Sequence, residues 1–399
     1  MKLPPVKFLI LAWLGCWTSL LAQTVAAEWK SHRFDGRDYV SLDDIAAFHG
    51  FPKPAPLVPP TPEAIAASIA AAGAVGAASE TEFGATTAAA RVATAKTVVL
   101  ESGPLRLEVT PGLSDVSING VKQWLAFPVR NEDGRAYVSR LDATGIIGPR
   151  LRPERIAGLT PVRTVILDPG HGGHDRGAVS RFGFEKDFAL DIASRTRVLL
   201  EKAGYKVLLT RSDDTFIPLE ERPALANRTP DSIFVSIHFN ASNAGAAARG
   251  FEIFSIAPRG AASTNDAAPG ARDFPAERGN VAEIPSGALA GSIYHALLGQ
   301  IPLVDRGLKH ARFAVLRRCV RPAVLVECGF VSNPGEVALI SAGSWRARIA
   351  EALADGIAGY ANLAAGKGRP RTLAEYRAAA RPAEAKSPPA PEKAGEPGS

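Results

Sequence analysis

The sequence predicts an α/β fold: a mostly parallel sheet sandwiched by helices, preceded by a small β-rich domain. Three observations carry that expectation. Between about residues 161 and 363, near-continuous apolar runs such as "TVILDP", "SIFVSIHFN" and "AVLVECGF" alternate with longer helical patterns, which is how strands buried on both faces read. Upstream, Leu105, Leu107 and Val109 alternate with polar residues, the period of a strand with one wet face. The pattern D-G-R-x-Y-V-S occurs twice, at Asp35 to Ser41 and at Asp133 to Ser139, so the upstream part is built on an internal repeat.

From the N-terminus, "MKLPPVK" is basic, "FLILAWLGCWTSLLA" is apolar and "TVAAEW" offers small residues for cleavage. Residues 1–27 therefore read as a secretory signal peptide, giving an exported protein, periplasmic or cell-wall associated. No later run is long enough to span a bilayer, so no transmembrane anchor is expected in the mature chain. Residues 28–155 form the small β-rich domain. In each repeat copy an Asp-Gly turn feeds a short strand and then a helix-like stretch, and Asn119-Gly120 marks a further hairpin. An Ala/Pro/Thr-rich insert at 53–96 interrupts this domain, and a Pro/Ala-rich tail spans 364–399. Both have too few large apolar side chains to build a core, so they read as flexible and disordered.

The main domain spans 156–363. Strands are expected at "TVILDP", "YKVLLTR", "SIFVSIHFN", "GFEIFSI", "FAVLRR" and "AVLVECGF". Helices are expected over "EKDFALDIASRTRVLLEKAG", stopped by Gly204, over "GALAGSIYHALLG" and over "WRARIAEALADGIAGYANL". The net charge of +6 favours an anionic partner such as a wall polymer. A nucleic-acid partner is not expected, because no clustered basic, aromatic-rich face appears. Cys319 and Cys328 both lie in apolar runs and read as buried free thiols, with neither a disulfide framework nor a thiolate metal site.

Chemistry gathers where strands open into loops. His171 follows "TVILDP" in a loop with Gly170, Gly172, Gly173 and Gly177. His238 sits near the end of "SIFVSIHFN", and Glu185 opens the long helix beside the His171 loop. Two imidazoles and a carboxylate are what a catalytic zinc takes from a protein, leaving a position open. The other reading of the glycines, a phosphate cradle, lacks the lysine and hydroxyl of a P-loop. Glu327, near the end of "AVLVECGF", is costly to bury without a partner. It is either ion-paired to Arg317, Arg318 or Arg321, or a general base beside the metal, and spacing leaves both readings open.

In order along residues 163–362 come "ILDPGHGGHDRGA", "EKDFALDIA", "VLLTRSDDTFIPLEERPALAN", "FVSIHFNA", "GFEIF" and "AVLVECGFVSNPGE". Together they resemble the zinc-dependent N-acetylmuramoyl-L-alanine amidases of the autolysin type. The resemblance implies a zinc amidase/phosphorylase-hydrolase-like sheet, Zn2+ held by His171, Glu185 and His238, and Glu327 as catalytic residue. It also implies peptidoglycan as substrate, cleaved between N-acetylmuramic acid and L-alanine. Asp175 matches a family position that fixes the loop or hydrogen-bonds a ligand from behind, whereas His174 falls where the family varies. Asn240 and Arg306 lie where substrate contacts are expected; Asp213, Arg222 and Asn227 are expected to hold loops. Some relatives carry a helix that blocks the site, but the corresponding segment here, about 257–286, contains Pro258, Pro269, Pro275 and Pro285, so no helical plug is expected. The repeat-bearing segments loosely resemble the small domain at the N-terminus of copper amine oxidase-like proteins, without copper ligands. Cell-division or wall-targeting proteins are the partners expected for that domain. The competing function is an exported zinc peptidase or deacetylase on another amide.

Overall fold

The computed structural model describes residues 29–57, 96–242, 247–266 and 274–380. The expected signal peptide, most of the insert and the end of the tail lie outside the described residues.

Both repeat copies fold as the sequence anticipates. β1 (His32–Phe34) and β2 (Arg37–Ser41) form a hairpin whose turn, Asp35-Gly36, has φ of 48° and 77°. The Ser41 side chain caps α1 (Leu42–His49) by accepting from the Asp44 N–H, and Gly50 closes that helix in the left-handed region. A meander follows: β3 (Val98–Ser102), β4 (Leu105–Val109), β5 (Asp115–Ile118) and β6 (Val121–Trp124). Its last turn has Asn119 at φ 52° and Gly120 at φ 80°, the paired positive values that favour Asn-Gly in a two-residue hairpin. The second copy gives β7 (Arg130–Glu132) and β8 (Arg135–Ser139). Ser139 caps the next turn as Ser41 does, and irregular helical turns lead to Leu151. β2 and β8 pair antiparallel with Tyr39 opposite Ser139 and Ser41 opposite Tyr137, so the copies meet about a local two-fold axis.

The main domain begins with β9 (Thr164–Pro169), the two-residue strands β10 (Val179–Ser180) and β11 (Gly183–Phe184), α2 (Glu185–Lys202) and β12 (Lys206–Leu209). Next come α3 (Arg222–Asn227), β13 (Ser232–Asn240), β14 (Phe251–Ile256), α4 (Glu283–Gln300) and β15 (Asp305–Ala311). The chain then forms α5 (Ala314–Arg317), β16 (Ala323–Phe330), α6 (Pro334–Ser341), α7 (Gly343–Ala364) and α8 (Leu373–Ala380).

These strands form one ten-stranded sheet in the order β12-β9-β13-β16-β14-β15-β6-β5-β4-β3. β12, β9, β13 and β16 run parallel, β14 turns antiparallel to β16, and β15 runs parallel to both β14 and β6. α2, α4 and α7 cover one face over a core that includes Val165, Leu167, Val235, Ile237, Val324 and Val326. Each such side chain contributes about 1.5–3 kcal/mol by leaving water. A smaller core on the other face gathers Ile166, Phe234, Phe254 and Leu325 under α3 and α5. No helix of the described residues is long and apolar enough to cross a membrane.

Three expectations change. The run "FAVLRR" is not a strand: Phe313 precedes the one-turn α5, and Val315 and Leu316 plug the smaller core. The strand comes just before it, as β15, disguised in sequence by buried Lys309 and His310. The 28–155 segment is not a self-contained unit, because β3 to β6 continue the main sheet through the Gln123–Leu308 pairing. Nor does order end at residue 363. In α8, Leu373 enters the main core, and Tyr376 packs on α4 so closely that a Cβ at Gly299 would lie 2.3 Å from the Tyr376 Cβ. Cys319 and Cys328 are free and buried, as expected.

Candidate active site

β9, β13 and β16 end together, and their C-terminal ends carry the groups singled out in the sequence. The loop after β9 is fixed from below. Asp168, fully buried, accepts from Thr210 (2.6 Å), Ser236 (2.7 Å) and Arg222 (2.9 Å). Arg222 also donates to the carbonyls of Pro169 and His171, and buried Arg211 donates to those of Pro169, Gly170 and Lys186. Two guanidinium groups thus satisfy the loop carbonyls and leave His171 at φ 59°. Gly170 is required by close approach, since a Cβ there would lie 2.3 Å from the His238 ring. At Gly177, φ is 63° and a Cβ would meet both Glu185 and His171 at 2.6 Å.

α2 starts with Glu185 buried and aimed back at that loop. Its Oε1 lies 3.0 Å from His171 Nε2 and 3.0 Å from His238 Nδ1, and accepts from the Phe239 N–H. Its Oε2 accepts from the Ala178 N–H at 2.9 Å. One ligand atom from each of His171, Glu185 and His238 lies within 4.8 Å of the other two. Behind His171, Asp175 Oδ2 holds Nδ1 at 2.8 Å, turning Nε2 toward the cluster, and Asp175 Oδ1 accepts from the Gly177 N–H. Burial pulls the His171 imidazole down, but Glu185 and Asp175 outweigh it, and its pKa rests above the ordinary value. Burial likewise raises Glu185, yet its two imidazole partners hold it well below the usual carboxylate range.

Glu327 lies opposite His238 on the neighbouring strand. Its Oε2 is sealed from solvent and has no hydrogen-bond partner among the described residues. Burial first, then the carboxylates of Glu185 and Glu252, push its pKa well above the ordinary value, against the pull of Lys309. The arginine-pair reading does not hold. Arg318 pairs with Glu220 at 2.5 Å, and Arg321 turns to the carbonyls of Ala226 and Asn227.

Asn240 and Arg306, expected at the substrate, both bond Glu252. Asn240 Nδ2 donates to its Oε1 (2.8 Å), while Arg306 Nε and Lys309 Nζ approach Oε2 at 2.9 and 2.5 Å. Sequence reading missed Glu252 because its strand reads as interior, and Lys309 because its strand was not recognised. The signal was a charged residue at an inward position in each. Asn227 bridges Arg318 and Val320 and so holds a loop, as expected. His174 is exposed and packs on Phe216. The described parts of 257–286 follow the far end of β14, away from His238, and form no helix before Arg278.

A family model described as N-acetylmuramoyl-L-alanine amidase matches residues 165–359. The amidase AmiA of Escherichia coli K12 is 35% identical over 227 residues, 50% of this chain and 76% of that relative. The chain belongs to the N-acetylmuramoyl-L-alanine amidase family. The amidase AmiC of Neisseria meningitidis serogroup B is 35% identical over 220 residues, and this chain spans 52% of its length. Among solved structures, an N-acetylmuramoyl-L-alanine amidase from Clostridium difficile 630 is 33% identical, with TM-score 0.42, over 50% of this chain and 97% of that one. His171, Glu185, His238 and Glu327 lie inside the family match, whereas β1 to β8 lie outside it.

Proposed function

We propose that this chain hydrolyses the amide between N-acetylmuramic acid and L-alanine in peptidoglycan, with a zinc ion held by His171, Glu185 and His238. The observation that carries the reading is the convergence of those three donors near Glu327, whose Oε2 has no partner among the described residues, in a chain of this family. The donor set fits the ion: two imidazole nitrogens and one carboxylate oxygen converge, with Asp175 orienting one ring from behind. A zinc ion there supplies Lewis acidity toward the scissile carbonyl and lowers the pKa of water.

The protein's own part is positioning and proton transfer. Glu327 accepts a proton from the attacking water at Oε2 and delivers it to the nitrogen of the departing L-alanine, so the amide C–N bond breaks and a C–O bond forms. A carboxylate raised above its ordinary pKa suits an atom that must take a proton and then release it. Asp168, Arg211 and Arg222 keep the His171 loop from shifting during the reaction. Export to the periplasm or wall belongs to the same proposal and rests on the leader at residues 1–27. So do wall-targeting or cell-division partners.

Mass spectrometry of purified sacculi after incubation with the protein tests the reading. Intact stem peptides and peptide-free glycan are expected, and a chelator is expected to abolish both. Cleavage within the peptides, or loss of acetyl groups alone, supports the zinc peptidase or deacetylase instead.

A further inference from the structure

We propose that the cavity between the β4 to β6 meander and α4 is a binding site for a small organic carboxylate, held by the guanidinium of Arg150. The cavity has a volume of about 140 Å³ and is walled by apolar residues that include Pro104, Leu105, Ile118, Val121, Leu308 and Pro370. His171, Glu185, His238 and Glu327 take no part in its lining, so the site is separate from the proposed reaction. A space of about 150 Å³ inside an apolar core is known to hold a single aromatic ring.

Charge within the cavity is unbalanced. Arg150, Arg152 and Arg369 line it, against the one lining carboxylate of Glu154 among the described residues. Arg369 is served from outside, with Nη1 and Nη2 each 2.9 Å from a Glu375 oxygen. Arg152 lies 3.9 Å from Glu154 and donates to the His49 carbonyl. Arg150 has no carboxylate partner among the described residues, and its one hydrogen bond there runs from Nε to Gln123 Oε1 at 2.9 Å. Burial lowers its pKa to about 10, which leaves it charged at neutral pH. His295 also lines the space, but burial lowers its pKa to about 4, so it is neutral there. A buried cation without a counter-charge is destabilising, and a bound anion offsets that.

The guanidinium has a built seat. A Cβ at Gly287 would lie 2.4 Å from Nη1 and 2.8 Å from Nη2, so α4 carries a glycine where Arg150 lies across it. Nη1 is sealed there without a partner among the described residues. Nη2 is unbonded too but is not sealed, so its N–H groups remain for a ligand. A carboxylate on Nη2 makes a charge-assisted hydrogen bond. One positive charge needs balancing, which favours a monoanion over a phosphate, and the apolar walls take the rest of the molecule. Gln123 also donates to the Leu308 carbonyl at 3.1 Å, so the ligand sits one side chain away from the β6–β15 junction.

Benzoate and isovalerate are the probes, titrated by calorimetry into the full chain at neutral pH and constant ionic strength. Saturable binding of one ligand per chain is expected, with the neutral analogue benzyl alcohol and inorganic phosphate each at least about tenfold weaker. Arg150→Met removes the charge. Gly291→Leu fills the space from α4, since a Cβ at Gly291 meets nothing closer than Arg150 Cδ at 3.7 Å. Each substitution is expected to weaken carboxylate binding at least about tenfold in a chain that still unfolds cooperatively on heating. If Arg150→Met does not fold, Gly291→Leu and the benzyl alcohol comparison decide. Binding that survives a folded variant overturns the proposal, as does the lack of saturable binding by both carboxylates. So does binding of benzyl alcohol or phosphate as tight as that of benzoate.

Discussion

The two halves of the ten-stranded sheet treat charge in opposite ways. In the β3 to β6 half, charged residues lie on a wet face and each has a partner beside it. In the β13 to β16 half, charged residues are buried or partly buried and unevenly served. Glu185 has two imidazoles and two backbone N–H groups, Glu252 has Asn240, Arg306 and Lys309, and Glu327 Oε2 has no partner among the described residues. Paired surface charge contributes little to stability and tunes recognition, whereas unpaired buried charge is costly and persists where chemistry needs it. The difference locates the proposed reaction at Glu327.

Removing the unserved group is the largest expected effect. Glu327→Gln is expected to lower kcat by about 10³-fold or more while keeping one metal per chain, measured by turnover on sacculi and by metal analysis. Retained turnover would take Glu327 out of the mechanism. Next comes Lys309→Met, which strips Glu252 of its buried ammonium. A loss of about 3 kcal/mol is expected in denaturant unfolding, and a loss below about 1 kcal/mol would place this pair with the surface kind.

A pH effect of similar size resides in the N-terminal half, at His49. Both its ring nitrogens are sealed and unpartnered among the described residues, and burial, reinforced by Arg155 and Arg152, lowers its pKa to about 4. Unfolded, it titrates near the ordinary ~6.5. The unfolded chain therefore binds a proton that the fold refuses, and this contribution to stability, complete above about pH 6.5, falls away as pH drops toward 4. The integrated loss is about 3 kcal/mol. In His49→Leu the slope of unfolding free energy against pH is expected to shrink by close to one proton across that window; an unchanged slope contradicts the assignment. The smallest effect is at Lys122–Asp115, 38% and 30% exposed. A double-mutant cycle there is expected to give about 0.2–1 kcal/mol, fading with salt.

How much of this could be read from the sequence follows the same division. Strands buried on both faces announced themselves as apolar runs, and the donors at their ends stood out because His171, Glu185 and His238 interrupt otherwise consistent patterns. Pairing between distant strands was not legible. The Gln123–Leu308 contact that fuses the two halves is a single register position 185 residues apart in sequence. β15 escaped notice because Lys309 and His310 look like surface residues, yet both are buried: Glu252 partners the Lys309 ammonium, while Thr264 bonds only the His310 backbone. α8 was hidden by its surroundings, since Leu373 and Tyr376 are isolated among alanines and charges, and only the glycine notch in α4 gives them a seat.

That notch bears on how the protein can be cut. A fragment ended at residue 363, where the sequence pattern fades, would bare the α4 groove at Gly299 and the core position that Leu373 fills, presenting apolar surface to any neighbour. Expression of such a fragment should give soluble oligomers or aggregates, while one carried through Ala380 should stay dispersed.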